Sequence, residues 1–350
     1  MNQKYSGAWT ALVTPFTKEY GIDWVSLEKN ISFQIKQGIT GVLPMGTTGE
    51  SATVTHEEHS NIISKTVEYV GGKSHVLAGT GSNSTDEALY ETKLAVESGV
   101  DACLLVDCYY NKPSSLELRR EYYSPILGAF PDTDFIAYAI PGRSVTVISA
   151  EDLSIIRSQY PNLVAVKEAT GDFDRMRRTR ELLDNEFNIL SGDDPNTYKM
   201  MTDEGIMSSG VVSVLSNLTP HAIGQQVRLT LDGKIDEAAE LDEALSPLSG
   251  LIGVTTDETV TLPNGVQATV KYKFPNPVPI KTMMAGCGMI DARLKRPMGK
   301  LTKKGVSTVR GALQKVWSQT PKILEPIEDF YDVDLAKRLE DDRIWDSLSY

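Results

Sequence analysis

The chain is poor in the residues that build covalent or metal cross-links. It has three cysteines, Cys103, Cys108 and Cys287, and four histidines in 350 residues. That is too few and too scattered for a disulfide framework, and no metal-ligand spacing links cysteine with histidine. The plainest role for the cysteines is as small buried hydrophobes in a reducing compartment. Positive charge is also short: 35 lysines and arginines stand against 47 acids, a net charge of −12. This argues against nonspecific binding to nucleic acid or an anionic membrane surface, while leaving room for a local basic pocket. No apolar run reaches the ~18 residues a membrane span needs, and the opening MNQKYSGAWT lacks a secretory pattern. A cytoplasmic location is expected. Neither a P-loop nor a G-x-S-x-G elbow is present.

What the chain does contain is a regular alternation. Short apolar runs occur at Ala8–Phe16, Gly41–Met45, His75–Gly79, Ala102–Val106, Asp134–Ile140, Leu163–Lys167, Phe187–Leu190 and Gly210–Val214. They are apolar on both faces, as parallel strands covered on both sides must be. Amphipathic segments lie between them, for example the face of Trp24, Leu27, Ile31 and Ile35, and the stretch Ala88–Val96. Thr55–Glu58 and Ser84–Glu87 have the polar, acidic character of helix starts. Eight such units predict a (β/α)8 TIM barrel of the α/β class. An open doubly wound sheet is the rival, but no G-x-G-x-x-G follows the first strand. The expected organisation is a barrel over 1–230, a C-terminal helical region over 231–318 and an extension over 319–350. A β-hairpin insertion at 258–274, alternating around Pro263–Gly265, interrupts the helical region. Leu335, Leu339, Trp345 and Leu348 give the extension an apolar face, so it is expected to dock as helix.

In a barrel the chemistry gathers at the C-terminal ends of the strands. Lys167 ends the run LVAVK. A lysine there is a nucleophile if burial keeps it neutral, or a structural ion pair if an acid meets it. Gly46–Ser51 (GTTGES) presents Thr47, Thr48 and backbone N–H groups, a cradle for a carboxylate or an ordinary capped turn. Tyr110 and Tyr138 can relay a proton through Thr47 if the three hydroxyls meet; otherwise they pack. Arg143 offers a two-pronged carboxylate contact or a surface salt bridge.

Taken in order, GTTGES, YYNKP (Tyr109–Pro113), YAIPGR (Tyr138–Arg143), KEATG (Lys167–Gly171), SGDD (Ser191–Asp194) and NPVPIK (Asn276–Lys281) resemble the dihydrodipicolinate synthase and N-acetylneuraminate lyase family. These are pyruvate-dependent class I aldolases, and the resemblance runs from about Gly7 to about Val316. It implies that Lys167 holds pyruvate as an imine and that Thr47 and Thr48 receive its carboxylate. It also implies that Gly192 and Val212 line the pyruvate pocket. Tyr138 would be the general acid/base, with Thr47 and Tyr110 completing a relay that needs a neighbouring subunit. A homodimer or homotetramer is therefore expected, and no cofactor.

Arg143 and Thr47 favour the synthase branch, in which pyruvate condenses with L-aspartate 4-semialdehyde during lysine and diaminopimelate biosynthesis. The lyases usually carry serine at Thr47 and lack the arginine. An N-acetylneuraminate lyase or other sugar-acid aldolase is the alternative, and a pyruvate- or lysine-binding sensor without catalysis is a third. Ala139 departs from the family's usual asparagine, which leaves fine substrate contacts open. The resemblance further implies a feedback site for L-lysine at Ser51, Ala52, His56, His59, Asn83, Glu87 and Tyr109.

Overall fold

The structure, a computed structural model, describes residues 3–350. Eight strands close into a parallel barrel in chain order: β1 Gly7–Ala11, β2 Gly41–Leu43, β3 His75–Gly79, β4 Ala102–Val106, β5 Asp134–Ala139, β6 Leu163–Glu168, β7 Asn188–Ser191 and β8 Gly210–Ser213. The ring shuts where β1 pairs with β8, Gly7 opposite Gly210. Gly210 has φ +147°, and a Cβ there would strike the Gly7 carbonyl, so the seam requires glycine. The TIM barrel expected from the eight apolar runs is what forms. The first strand is shorter than its run. Beyond Ala11 the chain leaves the sheet, and the Val13 N–H donates to the Asn217 side chain instead.

Helices follow the strands, and their starts are where the polar clusters lie. Thr55 caps Trp-free helix His56–Val70 with a capping box through Glu58, and Ser84 accepts from the Glu87 N–H to open Thr85–Glu97. These caps orient two helices that later supply His56, Glu87 and Glu91.

After β8 come helices Pro220–Leu231 and Ile235–Ser249, then the hairpin of β9 Val254–Thr261 and β10 Gln267–Phe274. The hairpin starts earlier than the alternating stretch that announces it. Thr255–Thr259 is polar, but Asp257 stands opposite Lys271 and Val254 opposite Phe274. Cross-strand pairs of that kind stabilise a strand that apolar alternation alone does not mark.

Helix Val278–Cys287 is buried along its whole length. The extension docks on it and on helix Lys303–Gln319, with Leu335, Leu339 and Trp345 buried. The buried helix carries Lys281, whose Nζ donates to Glu50 Oε1 at 2.7 Å and to the Thr14 carbonyl at 2.8 Å. Both side chains of this ion pair are fully buried. Glu50 closes the turn after β2, so the pair ties the C-terminal region to the barrel mouth.

Removing one partner leaves a buried charge uncompensated. Lys281→Ala should therefore lower the unfolding free energy by about 3–5 kcal/mol, read from urea denaturation. A loss below about 1 kcal/mol, the range of exposed pairs, would mean that the pair is solvated.

Candidate active site

Lys167 sits in β6 with Tyr138 of β5 and Leu190 of β7 as its ladder neighbours. Its side chain turns into the barrel, while the next residue, Glu168, turns outward to Arg175 at 3.1 Å. Lys167 is 4% exposed, and its Nζ lies 4.2 Å from the centre of the Tyr138 ring. Among the described residues no acid lies within ion-pair distance of it. Burial lowers its pKa to about 7; Asp194 opposes that shift and Arg143 adds to it. A large fraction of the amine is thus neutral near pH 7, as a nucleophile requires.

Gly192 explains how the lysine stem fits. A Cβ at 192 would lie 3.0 Å from Lys167 Cε and 3.1 Å from Cγ. Val212, buried in β8, closes the barrel beyond it.

The turn after β2 brings the hydroxyls. Met45 and Glu50 hold positive φ, of 56° and 63°, bending the chain so that Thr47 and Tyr138 line one cavity wall. Burial pushes the Tyr138 phenol up to about 12, with Arg143 and the Thr47 hydroxyl working against it. The phenol is therefore protonated at neutral pH and ready to donate. Thr48 is buried and accepts from Asn276 Nδ2 at 2.9 Å, and the Asn276 carbonyl accepts from Arg143 at 3.0 Å. Because Asn276 occupies a lone pair of Thr48, the Thr48 proton remains free for a ligand oxygen. Burial lowers the Arg143 pKa, but the group stays a cation near pH 7.

A cavity of about 280 Å³ opens here, lined by Thr47, Ser51, Ala52, Tyr109, Tyr138, Arg143, Asn276, Pro297 and Met298 among others. Lys167, Thr48, Gly192 and Val212 are not among its lining residues, and neither is Tyr110. That residue is 81% exposed, with φ 78°. Contacts thus link Lys167 to Tyr138 and Gly192, and Thr48 through Asn276 to Arg143, with Thr47, Tyr138 and Arg143 on one cavity wall; Val212 is buried in β8, and Tyr110 is left at the surface.

The second predicted set also converges in part. His56 Nε2 lies 3.1 Å from Glu87, which also accepts from Ser82, and the Ser82 hydroxyl reaches the Asn83 side chain at 3.3 Å. Ser51 and Ala52 lie on the cavity wall beside Tyr109. His59 is buried and faces Glu91 at 2.9 Å, and Glu91 also binds His56 Nδ1 at 2.8 Å. Glu91 is the organising acid of this cluster. Burial raises its pKa, but the two histidines outweigh that and hold it below the usual range. Sequence reading missed Glu91, Asn276 and the Glu50–Lys281 pair as parts of these sites. For the last two the signal was present, since all three residues lie inside the quoted motifs.

These features define a class: a (β/α)8 barrel with a buried lysine of lowered pKa and a protonated tyrosine at the C-terminal ends of its strands. Comparison with known proteins makes the assignment specific. Residues 4–316 match the dihydrodipicolinate synthetase family, and the chain belongs to that family of enzymes. The 4-hydroxy-tetrahydrodipicolinate synthase of Methanococcus maripaludis is 35% identical over 311 residues, covering 89% of this chain and 98% of the relative. The solved structure of the synthase of that name from Methylacidiphilum fumariolicum SolV superimposes with a TM-score of 0.81 at 36% identity, covering 92% of this chain and 99% of its own. The Cyanidioschyzon merolae enzyme, solved with lysine bound, gives a TM-score of 0.79 at 30% identity, covering 89% and 98%.

The state of Lys167 can be checked by its pH dependence. The rate of imine formation with pyruvate should rise about tenfold per pH unit below the lysine pKa and level off near pH 7. An unperturbed lysine would keep climbing toward about pH 10.4.

Proposed function

We propose that this chain condenses pyruvate with L-aspartate 4-semialdehyde through an imine on Lys167. The product would be 4-hydroxy-tetrahydrodipicolinate, on the route to lysine and diaminopimelate. The observation that carries the reading is Lys167 itself, buried, without an ion-pair partner among the described residues, and 4.2 Å from the centre of the Tyr138 ring. Neutral Nζ attacks the ketone carbon of pyruvate, and the carbinolamine hydroxyl takes a proton from Tyr138 and leaves as water to give an iminium ion. The pyruvate carboxylate lies on Thr47 and Thr48. The iminium withdraws electrons from the neighbouring methyl group, which loses a proton to the Tyr138 phenolate to leave an enamine. The enamine carbon attacks the aldehyde, and Tyr138 protonates the developing alkoxide. The product amine then displaces Lys167 and closes the ring. The protein-bound iminium is the electron sink, so this chemistry calls for no added cofactor.

Arg143 supports aspartate 4-semialdehyde as the second substrate. Its guanidinium lines the cavity and suits a carboxylate, whereas a sugar-derived aldehyde calls for several hydroxyl-binding groups. Relatives at 35% identity carry the synthase name, which supports the same branch.

The exposure of Tyr110 supports a homodimer or homotetramer in which a neighbouring subunit receives it to complete the relay. On this reading the chain divides into the barrel to residue 230, a C-terminal helical region to 318 and the extension. The cluster of Ser51, Ala52, His56, His59, Asn83, Glu87 and Tyr109 is proposed to bind L-lysine as a feedback effector, its acid, amide and tyrosine hydroxyl suiting an α-amino acid. The protein is proposed to act in the cytoplasm; among the described residues no helix is long and apolar enough to cross a membrane.

Two measurements test the reading. Borohydride reduction in the presence of pyruvate should add the reduced pyruvate mass to the peptide containing Lys167; an unmodified peptide removes the imine. Turnover is then compared between aspartate 4-semialdehyde and sugar-derived aldehydes, and faster turnover of the sugars would reassign the chain to the aldolase branch. For the effector site, millimolar L-lysine should slow turnover and raise the melting temperature. Neither effect at saturating lysine would remove that site.

A further inference from the structure

The extension and the segment after helix Val278–Cys287 enclose a second cavity, of about 820 Å³. That volume lies within the range of small-molecule sites. Ile290, Leu294 and Met298 give its wall apolar surface, and Ile344 and Leu348 add to it from the extension. No step of the proposed reaction uses this space.

The charge of this cavity runs against that of the chain, whose net charge is −12. Lys18, Arg293, Lys300, Arg338 and Arg343 line it, five cations against the two acids Asp291 and Asp341, a local surplus of three. Both acids are already engaged: Arg293 meets Asp291 at 2.9 Å, and Arg343 meets Asp341 at 2.8 Å. Lys300 donates to the carbonyls of Ser347 and Ser349 at 2.7 and 3.2 Å. Arg338 donates to those of Gly286 and Ala285 at 2.9 and 3.1 Å. Neutral carbonyls fix these two cations without cancelling them, and the helix end that holds Arg338 carries only about half a charge. Among the described residues no acid lies within ion-pair distance of Lys18, Lys300 or Arg338. Arg293 also leaves its Nε hydrogen buried and without an acceptor. A buried donor in that state calls for an explanation, and an anion in the cavity supplies one.

We propose that this cavity binds a small polyanion, a metabolite whose charged end carries a phosphoryl group or several carboxylates. Guanidinium and ammonium groups suit either chemistry, and the apolar wall takes the uncharged part of the molecule. The site is separate from the catalytic cavity, since Thr47, Tyr138 and Arg143 line only the latter. It is also adjacent to it. Met298 lines both cavities, and in the same segment the Lys295 N–H holds Glu50. The family match ends at residue 316, so the wall formed by Arg338, Arg343, Ile344 and Leu348 lies outside it. The site does not depend on the reaction assigned to Lys167.

Isothermal titration of the full-length protein with inorganic pyrophosphate and with citrate tests this, at constant ionic strength set with sodium chloride. At least one probe should bind saturably. Its affinity should fall about tenfold or more in the double variant Lys18→Gln, Lys300→Gln, which removes two of the surplus charges. Both lysines are exposed, so the substitutions leave the core intact. Lys65→Gln, at an exposed lysine of helix His56–Val70, should leave binding unchanged. Tighter binding of pyrophosphate assigns the ligand to the phosphoryl class, and tighter binding of citrate to the polycarboxylates. No saturable binding of either probe up to about 10 mM, weaker than a built site supplies, overturns the proposal. Undiminished binding in the double variant overturns it as well, because the anion then sits elsewhere, as does an equal loss from Lys65→Gln.

Discussion

The ion pair between Glu50 and Lys281 is the constraint on which the catalytic end depends. The two residues are 231 positions apart, yet their charged atoms lie 2.7 Å from one another with no exposure to solvent. Such a pair tolerates burial only if its remaining valences are filled. Here the Thr14 carbonyl takes a second lysine hydrogen, and the Lys295 N–H donates to the other glutamate oxygen at 2.8 Å. The turn from Met45 to Glu50 is consequently anchored at its far end, and Thr47 and Thr48 have a fixed aim. Glu50 itself adopts φ 63°, a conformation that costs energy in a residue with a Cβ and persists because its side chain is held.

Two buried lysines in one barrel then illustrate opposite uses of desolvation. Lys281 meets an acid at hydrogen-bond distance and serves as a tie. Lys167 meets an aromatic ring and, among the described residues, no ion-pair partner, and burial draws its pKa to about 7. The difference is not in the residue type or the degree of burial. It lies in whether a carboxylate reaches the nitrogen.

The barrel was legible in the sequence because both faces of a parallel strand are covered, and each strand is therefore a plain apolar run. The strand ends were equally legible, which placed Lys167, Tyr138 and the two threonines together before any geometry was known. Partnerships between distant segments were not. Glu50 and Lys281 stood in two quoted motifs, but nothing local links a turn after β2 to a helix after the hairpin. Glu91 was hidden for a different reason: on the helix Thr85–Glu97 it resembles any exposed acid, and only the packing of a neighbouring helix sets His56 and His59 against it. Tyr110 shows the limit of adjacency. It follows Tyr109 directly, but a positive φ sends the two side chains apart, one to the cavity wall and the other to the surface.

The extension beyond the family match enters the same chain of support. Trp345 fills the space beside Gly286, where a Cβ would collide with its ring, and Arg338 donates to the carbonyls of Ala285 and Gly286. Both contacts fall on the C-terminal end of the helix Val278–Cys287, where uncompensated carbonyls favour a cation. That helix carries Lys281, which holds Glu50, which fixes the threonine turn. On the other side the Tyr331 hydroxyl donates to Asn30 at 2.7 Å, in the helix between β1 and β2. The last residues of the chain therefore brace, from outside, the two segments between which the carboxylate cradle is suspended. A segment that touches no catalytic group can in this way set how rigidly Thr47 and Thr48 are held.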